Sequence, residues 1–141
     1  MDFEIPKTEF VFEARVECSQ PQPIGQTPEG NAIMVPIVGG TVEGPQIKAT
    51  VLPGGADWPV SRGDGVTVID ARYAIRTDDG VIITVHNRGL AVRGSGTPYI
   101  RTVPQFIAPE GRYSWLNQAI FVGTLEARPG APVTVRVFRV V

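Results

Sequence analysis

Two β-rich runs, Val66 to Thr77 and Val81 to Asn87, flank the tripeptide Asp78-Asp79-Gly80. An Asp-Gly pair between such runs signals a tight hairpin, because glycine takes up the positive φ that the turn needs at no steric cost. The chain must fold back on itself there as an antiparallel pair, and the pattern repeats along its length. From Phe10 to Glu17, Phe10, Phe12, Ala14 and Val16 face one side while Val11, Glu13, Arg15 and Glu17 form a mostly polar other side, as in a half-buried strand. Ile33 to Val38 is an apolar strand interrupted by Pro36, which predicts an edge position or a bulge. Gln46 to Leu52, Pro98 to Phe106 and Val133 to Phe138 read as further strands, with turns at Gly63-Asp64-Gly65, Ala108-Pro109-Glu110-Gly111 and Pro129-Gly130. Residues 113 to 125 form either a strand or a short helical turn around Trp115 to Asn117 that leads into a strand from Ala119 to Leu125. Gly89 to Thr97 reads as loop, and so do residues 19 to 31, which suit a lid over a barrel mouth.

About eight to ten short strands with little helix indicate an all-β chain, an antiparallel barrel or sandwich. The single antiparallel barrel is the expectation, because a barrel of about eight strands can hold one small ligand and the polar residues that interrupt these strands need a partner. One domain, residues 1–141, fits a chain of this length.

Composition removes several classes of function. The 13 basic and 14 acidic residues are interspersed, so there is no basic footprint for nucleic acid. Cys18 stands alone, which rules out an intrachain disulfide. No stretch reaches the roughly 20 apolar residues of a membrane span, and the acidic start Met1-Asp2-Phe3-Glu4 does not read as a signal peptide. A cytoplasmic protein is expected. A zinc site is not, since His86 is the only histidine, and no loop spacing supports an all-carboxylate site from Glu43, Asp57 and Asp70. No metal and no cofactor is predicted. Gly39-Gly40 and Gly94-Ser95-Gly96 lack the spacing of a phosphate-binding loop and read as turns.

The chemistry-bearing residues gather around Val51-Leu52-Pro53-Gly54-Gly55-Ala56-Asp57-Trp58 and the preceding Gly39-Gly40-Thr41-Val42-Glu43-Gly44-Pro45. Glycines there allow close approach of a ligand or another strand. Side-chain alternation puts Asp70 with Arg72 on one face, Tyr99 with Arg101 on one face, and His86 opposite Asn87. If its segment is extended, Tyr113 shares a face with Trp115, Asn117 and Phe121. Asp70 with Arg72 or Arg88 is either an ion pair that fixes register or part of a ligand clamp. His86 reads as a surface or interface side chain. Trp58 and Trp115 are core residues or stacking faces for a flat ligand.

Several of these words are similar to a known family. Leu52-Pro53-Gly54-Gly55-Ala56-Asp57-Trp58, Asp70-Ala71-Arg72-Tyr73, Thr77-Asp78-Asp79-Gly80, Asn87-Arg88-Gly89, Arg101-Thr102, Trp115-Leu116-Asn117 and Ile120-Phe121-Val122-Gly123 occur in the order found in domain of unknown function 3237. The resemblance covers the chain from about Phe10 onward and implies a lipocalin-like barrel, often associated into homo-oligomers. After Pro104-Gln105-Phe106 that pattern carries an acid where Ile107 stands here.

The residues then support two readings. In the first, the barrel is a cofactor-independent lyase, isomerase or decarboxylase acting on a small aromatic or polyketide-like carboxylate. Asp57, Asp70, Glu43 or Tyr113 handles the proton. Arg72, Arg88 or Arg101 anchors the carboxylate, Trp58, Tyr99, Tyr113 and Trp115 stack, and Asn87 and Asn117 offer hydrogen bonds. In the second, the barrel carries or senses a small hydrophobic ligand without turning it over. A structural oligomer whose polar strand positions serve subunit contacts is a third possibility, favoured by an interior filled with side chains.

Overall fold

β1 (Thr8–Cys18) pairs with β11 (Val133–Val140) along one edge and with β3 (Gly30–Glu43) along the other, and this double pairing closes the sheet. The computed structural model describes residues 2–141. Its remaining strands are β2 (Gln22–Thr27), β4 (Lys48–Val51), β5 (Gly55–Asp57), β6 (Val60–Ser61), β7 (Val66–Thr77), β8 (Ile82–Val92), β9 (Tyr99–Ile107) and β10 (Ile120–Glu126), with one 3-10 turn at Ser114–Asn117. Around the wall the order is β1-β11-β10-β9-β8-β7-β4-β3, every pair antiparallel, and β5 and β6 continue the line of β4 between β3 and β7. The result is a closed 8-strand antiparallel barrel in which β4, β5 and β6 together make one interrupted wall strand. No helix among the described residues is long and apolar enough to cross a membrane.

The predicted hairpin is the backbone of this wall. β7 and β8 pair continuously from Val66↔Val92 to Arg76↔Ile82, and Gly80 turns the chain at φ 89°. Alternation buries Ile69, Ala71, Tyr73, Ile75 and Thr77 on β7 and leaves Arg72 and Arg76 exposed. At the end of the barrel reached by Thr77 the interior is filled. Phe106 packs edge-on against Phe12 and Phe121, with ring centroids 5.7 and 5.0 Å apart, and Leu116 and Tyr113 close over them. Each such side chain contributes roughly 1.5–3 kcal/mol through burial.

Several elements differ from expectation. Residues 19–31 are not one long loop. Gln22–Thr27 pairs with the start of β3, and Pro23 is tolerated because β2 has a partner on one side only. β8 continues through Gly89 to Val92 rather than ending at Asn87. β3 runs through Pro36, and the disruption appears as a register shift in which Cys18 faces Ile37 while Glu17 faces Gly39. Next to it, Gly40 adopts φ 140° with β1 so close that a Cβ would lie 2.1 Å from the Arg15 carbonyl oxygen. Trp115 and Asn117 lie in the 3-10 turn, so two-residue alternation does not extend from Tyr113 to Phe121.

Candidate functional site

Away from the aromatic end the inner wall becomes polar. Asp57 pairs with Ala71, Ala71 with Asn87 and Asn87 with Pro104, so these four side chains form one inward row across β5, β7, β8 and β9. Ala71, between the acid and the amide, has only a methyl group. One step along the wall the next inward row is Ile69, Gly89, Thr102 and Gly123. Thr102 is fully buried, and it fits because both its neighbours are glycine: a Cβ on Gly123 would lie 2.4 Å from Thr102 Oγ1. Two polar atoms of these rows, Asn87 Oδ1 and Thr102 Oγ1, are buried without a hydrogen-bond partner among the described residues.

Asp57 accepts the backbone N–H of Asp70 at Oδ1, 3.1 Å away. Burial pushes its carboxyl above the usual range, the Asp70 N–H opposes that shift, the nearby Asp70 carboxylate adds to it, and the Trp58 N–H opposes it again. Cys18, at the rim beside Ile37, is also raised, first by burial and then by the Asp57 charge. The Tyr73 phenol, buried on the same wall, is raised by burial and by Cys18.

The other predicted site residues do not join this row. Asp70 faces outward, and in place of Arg72 or Arg88 it takes His86, whose Nε2 lies 2.7 Å from its Oδ1. Glu43 is exposed at the far end of β3, opposite Lys48. The three predicted acids therefore do not converge. Arg72, Arg88 and Arg101 are all exposed, with Arg101 lying over the exposed Tyr99 ring at 5.5 Å, so none anchors a carboxylate inside the barrel. Trp58, 40% exposed, does not stack within it either.

Tyr113 is buried at the filled end, where its Oη donates to Asp79 Oδ1 at 2.7 Å. Thr77, Tyr113 and Arg112 all donate to Asp79 and hold its carboxyl down to about 2. Trp115 packs near Phe121, 6.5 Å between ring centroids. Asn117 spends its amide on one residue, accepting from the Ala108 N–H and donating to its C=O, both at 2.8 Å.

Thr102 and Cys18 were missed as candidates. Thr102 had a signal: on β9 it alternates with Tyr99 and Arg101 and shares the face of Phe106, so it is a polar residue on an apolar face. Cys18 lies beyond a register shift that no periodicity announces.

These features define a closed antiparallel barrel with an acid and unpartnered polar groups on its inner wall. The chain belongs to the family described as protein of unknown function DUF3237, whose pattern it matches over residues 6–140. It is 36% identical over 129 residues to a UPF0311 protein of Clostridium acetobutylicum, covering 81% of this chain and 82% of that one. A crystal structure of a protein from that organism superposes with a TM-score of 0.91 at 31% identity over 99% of this chain and 100% of the other. A beta-barrel like protein from Acinetobacter baumannii also gives 0.91, at 28% identity over 99% of each chain. The hydroalkoxylation enzyme phnH of Penicillium herquei is 29% identical over 119 residues, 84% of this chain and 74% of that protein.

Proposed function

We propose that this barrel is a cofactor-independent enzyme that moves a proton on a small, oxygen-bearing organic molecule held against its inner wall. The observation that carries the reading is the pair of buried, unpartnered oxygens, Asn87 Oδ1 and Thr102 Oγ1, on the wall that also holds Asp57. Leaving such groups unpaired costs about 1–3 kcal/mol each, which a ligand hydroxyl or carbonyl recovers on binding. Asn87 Oδ1 accepts from a ligand O–H, and the Thr102 hydroxyl donates to a ligand oxygen or accepts from one. With every candidate arginine outside, a neutral phenol, alcohol or enol suits the wall better than a carboxylate.

A carboxyl raised above its usual range by burial is suited to give and retake a proton. The relative named as a hydroalkoxylation enzyme supports a particular form of the step. Asp57 gives its proton to one carbon of a C=C bond, the ligand's own hydroxyl oxygen bonds to the other carbon, and the hydroxyl proton returns to the Asp57 carboxylate. Substrate and product are isomers, and no cofactor is consumed.

The test is turnover of a panel of alkenyl phenols and enols in D2O, followed by NMR for deuterium placed on carbon. Asp57→Asn should lower kcat by about 10²-fold or more. Rate should fall as pH rises through the raised Asp57 pKa, because the acid form is the reactive one. One unchanged compound retained per barrel, with no deuterium exchange, would make the protein a carrier instead.

A further inference from the structure

A groove runs along the outside of the barrel wall. Its volume is about 860 Å³, within the range of roughly 300–1,000 Å³ typical of small-molecule sites. Its floor is the outer face of β7, β8 and β9, where Arg72, His86 and Gln105 form one cross-strand row. Its far side is the segment from Leu116 to Phe121. The groove exists because β9 and β10 share register only at Gly123↔Thr102, so their lower parts diverge and the 3-10 turn fills in beside them.

The charge in this groove is one-sided. None of its lining residues is acidic, and Arg72 is part of no ion pair among the described residues. His86 is fixed by Asp70, which lies outside the lining. The bond at 2.7 Å from its Nε2 to Asp70 Oδ1 orients the ring and leaves Nδ1 without a partner among the described residues. Beside this polar floor stand Val103, Ile107 and Ile120, 52%, 74% and 67% exposed. A guanidinium, an oriented imidazole and a primary amide next to exposed apolar side chains suit a ligand with an anionic head and an apolar body.

We propose that this outer groove is a second binding site, separate from the inner wall, for a small amphipathic carboxylate. Arg72 takes the carboxylate as a bidentate pair, and Gln105 donates to it. His86 Nδ1 bonds a neighbouring hydroxyl when the ligand carries one, and the apolar body lies along Val103, Ile107 and Ile120. Arg72 and Ala71 are consecutive on β7 and face opposite sides of the wall, so a ligand here does not touch Asn87 or Thr102.

The test uses the full chain, with 2-naphthoate as probe and its neutral alcohol as control, read by two-dimensional amide NMR and calorimetry. Naphthoate should shift amides at Arg72, His86, Gln105 and Ile107, and the neutral alcohol should bind far more weakly. Arg72→Met should weaken naphthoate about tenfold or more, the usual loss of a charge-assisted bidentate contact. Ile107→Glu, at an exposed position, should do the same by placing a carboxylate in the groove, and the amide spectrum confirms that each variant is folded. Shifts confined to Asp57, Asn87 and Thr102, equal affinity of naphthoate for Arg72→Met and the parent, or no binding at millimolar naphthoate would each overturn the proposal.

Discussion

At the scale of single residues, two acids are displaced in opposite directions by their surroundings. Asp79 sits in an open turn with three donors aimed at it and is held down to about 2. Asp57 is partly buried, and burial outweighs the backbone N–H groups of Asp70 and Trp58 that lower it. A carboxyl whose folded pKa is raised contributes most below its unfolded pKa and loses that contribution as pH rises through the folded value. Asp57 in its charged form therefore burdens the fold at neutral pH, and Asn, which imitates the protonated acid and still accepts from Asp70, should lift the burden. Asp57→Asn is expected to raise the unfolding midpoint at pH 7 and to leave it unchanged near pH 3, measured by thermal melts across that range. A variant less stable than the parent at both pH values would show that the carboxylate is a structural partner and not a strained functional group. The sequence singled out Asp57 as a candidate because it follows a Gly-Gly turn and precedes an indole. Whether it met Asp70 or Glu43 depended on barrel closure, which brings strands together without regard to spacing along the chain.

At the scale of elements, the readable parts were those in which local turn chemistry and alternation agree. β7 matches its predicted limits because an Asp-Gly turn and a continuous two-residue period both specify it. β2 was hidden because Pro23 and Gly25 weaken local propensity, while pairing to β3, a tertiary effect, overrides it. The segment after β9 was ambiguous for a related reason. Where β9 loses its neighbour β10, Ala108 has a backbone N–H and C=O with no strand to meet, and the Asn117 side chain supplies both partners in the manner of a strand amide. Asn117→Ala should cost about 2–4 kcal/mol, two hydrogen bonds lost at the buried Ala108. Asn117→Asp, which keeps the acceptor and loses the donor, should fall between the two. Denaturant unfolding of the three proteins measures the order, and an alanine variant as stable as the parent would mean that water replaces the amide at no cost.

At the scale of the whole molecule, closure joins the two most distant strands. Lys7 and Val141 exchange both backbone hydrogen bonds at 2.8 Å, and β1 lies against β11 from Thr8↔Val140 onward. Ladders of that sequence separation are slow to form because loop-closure entropy is lost before any contact compensates for it. The β7–β8–β9 meander, with a tight turn and the longest continuous register, forms most cheaply, and it also carries Ala71, Asn87 and Thr102. Folding is therefore expected to start there and to close on β1 last. Two circular permutants test this, both joining the segments at Lys7 and Val141 through a short linker. One is opened at Gly94-Ser95-Gly96 between β8 and β9, the other at Arg128–Ala131 between β10 and β11; both turns are exposed. Both should reach the same native amide spectrum, because every ladder survives in each. Stopped-flow refolding should be several-fold slower for the first, whose cut makes the β8–β9 ladder long-range, than for the second, which leaves the meander local. Equal rates, or a slower second permutant, would move the nucleus to the β10–β11–β1 side, and the wall that holds the candidate site would then be the last part of the barrel to form.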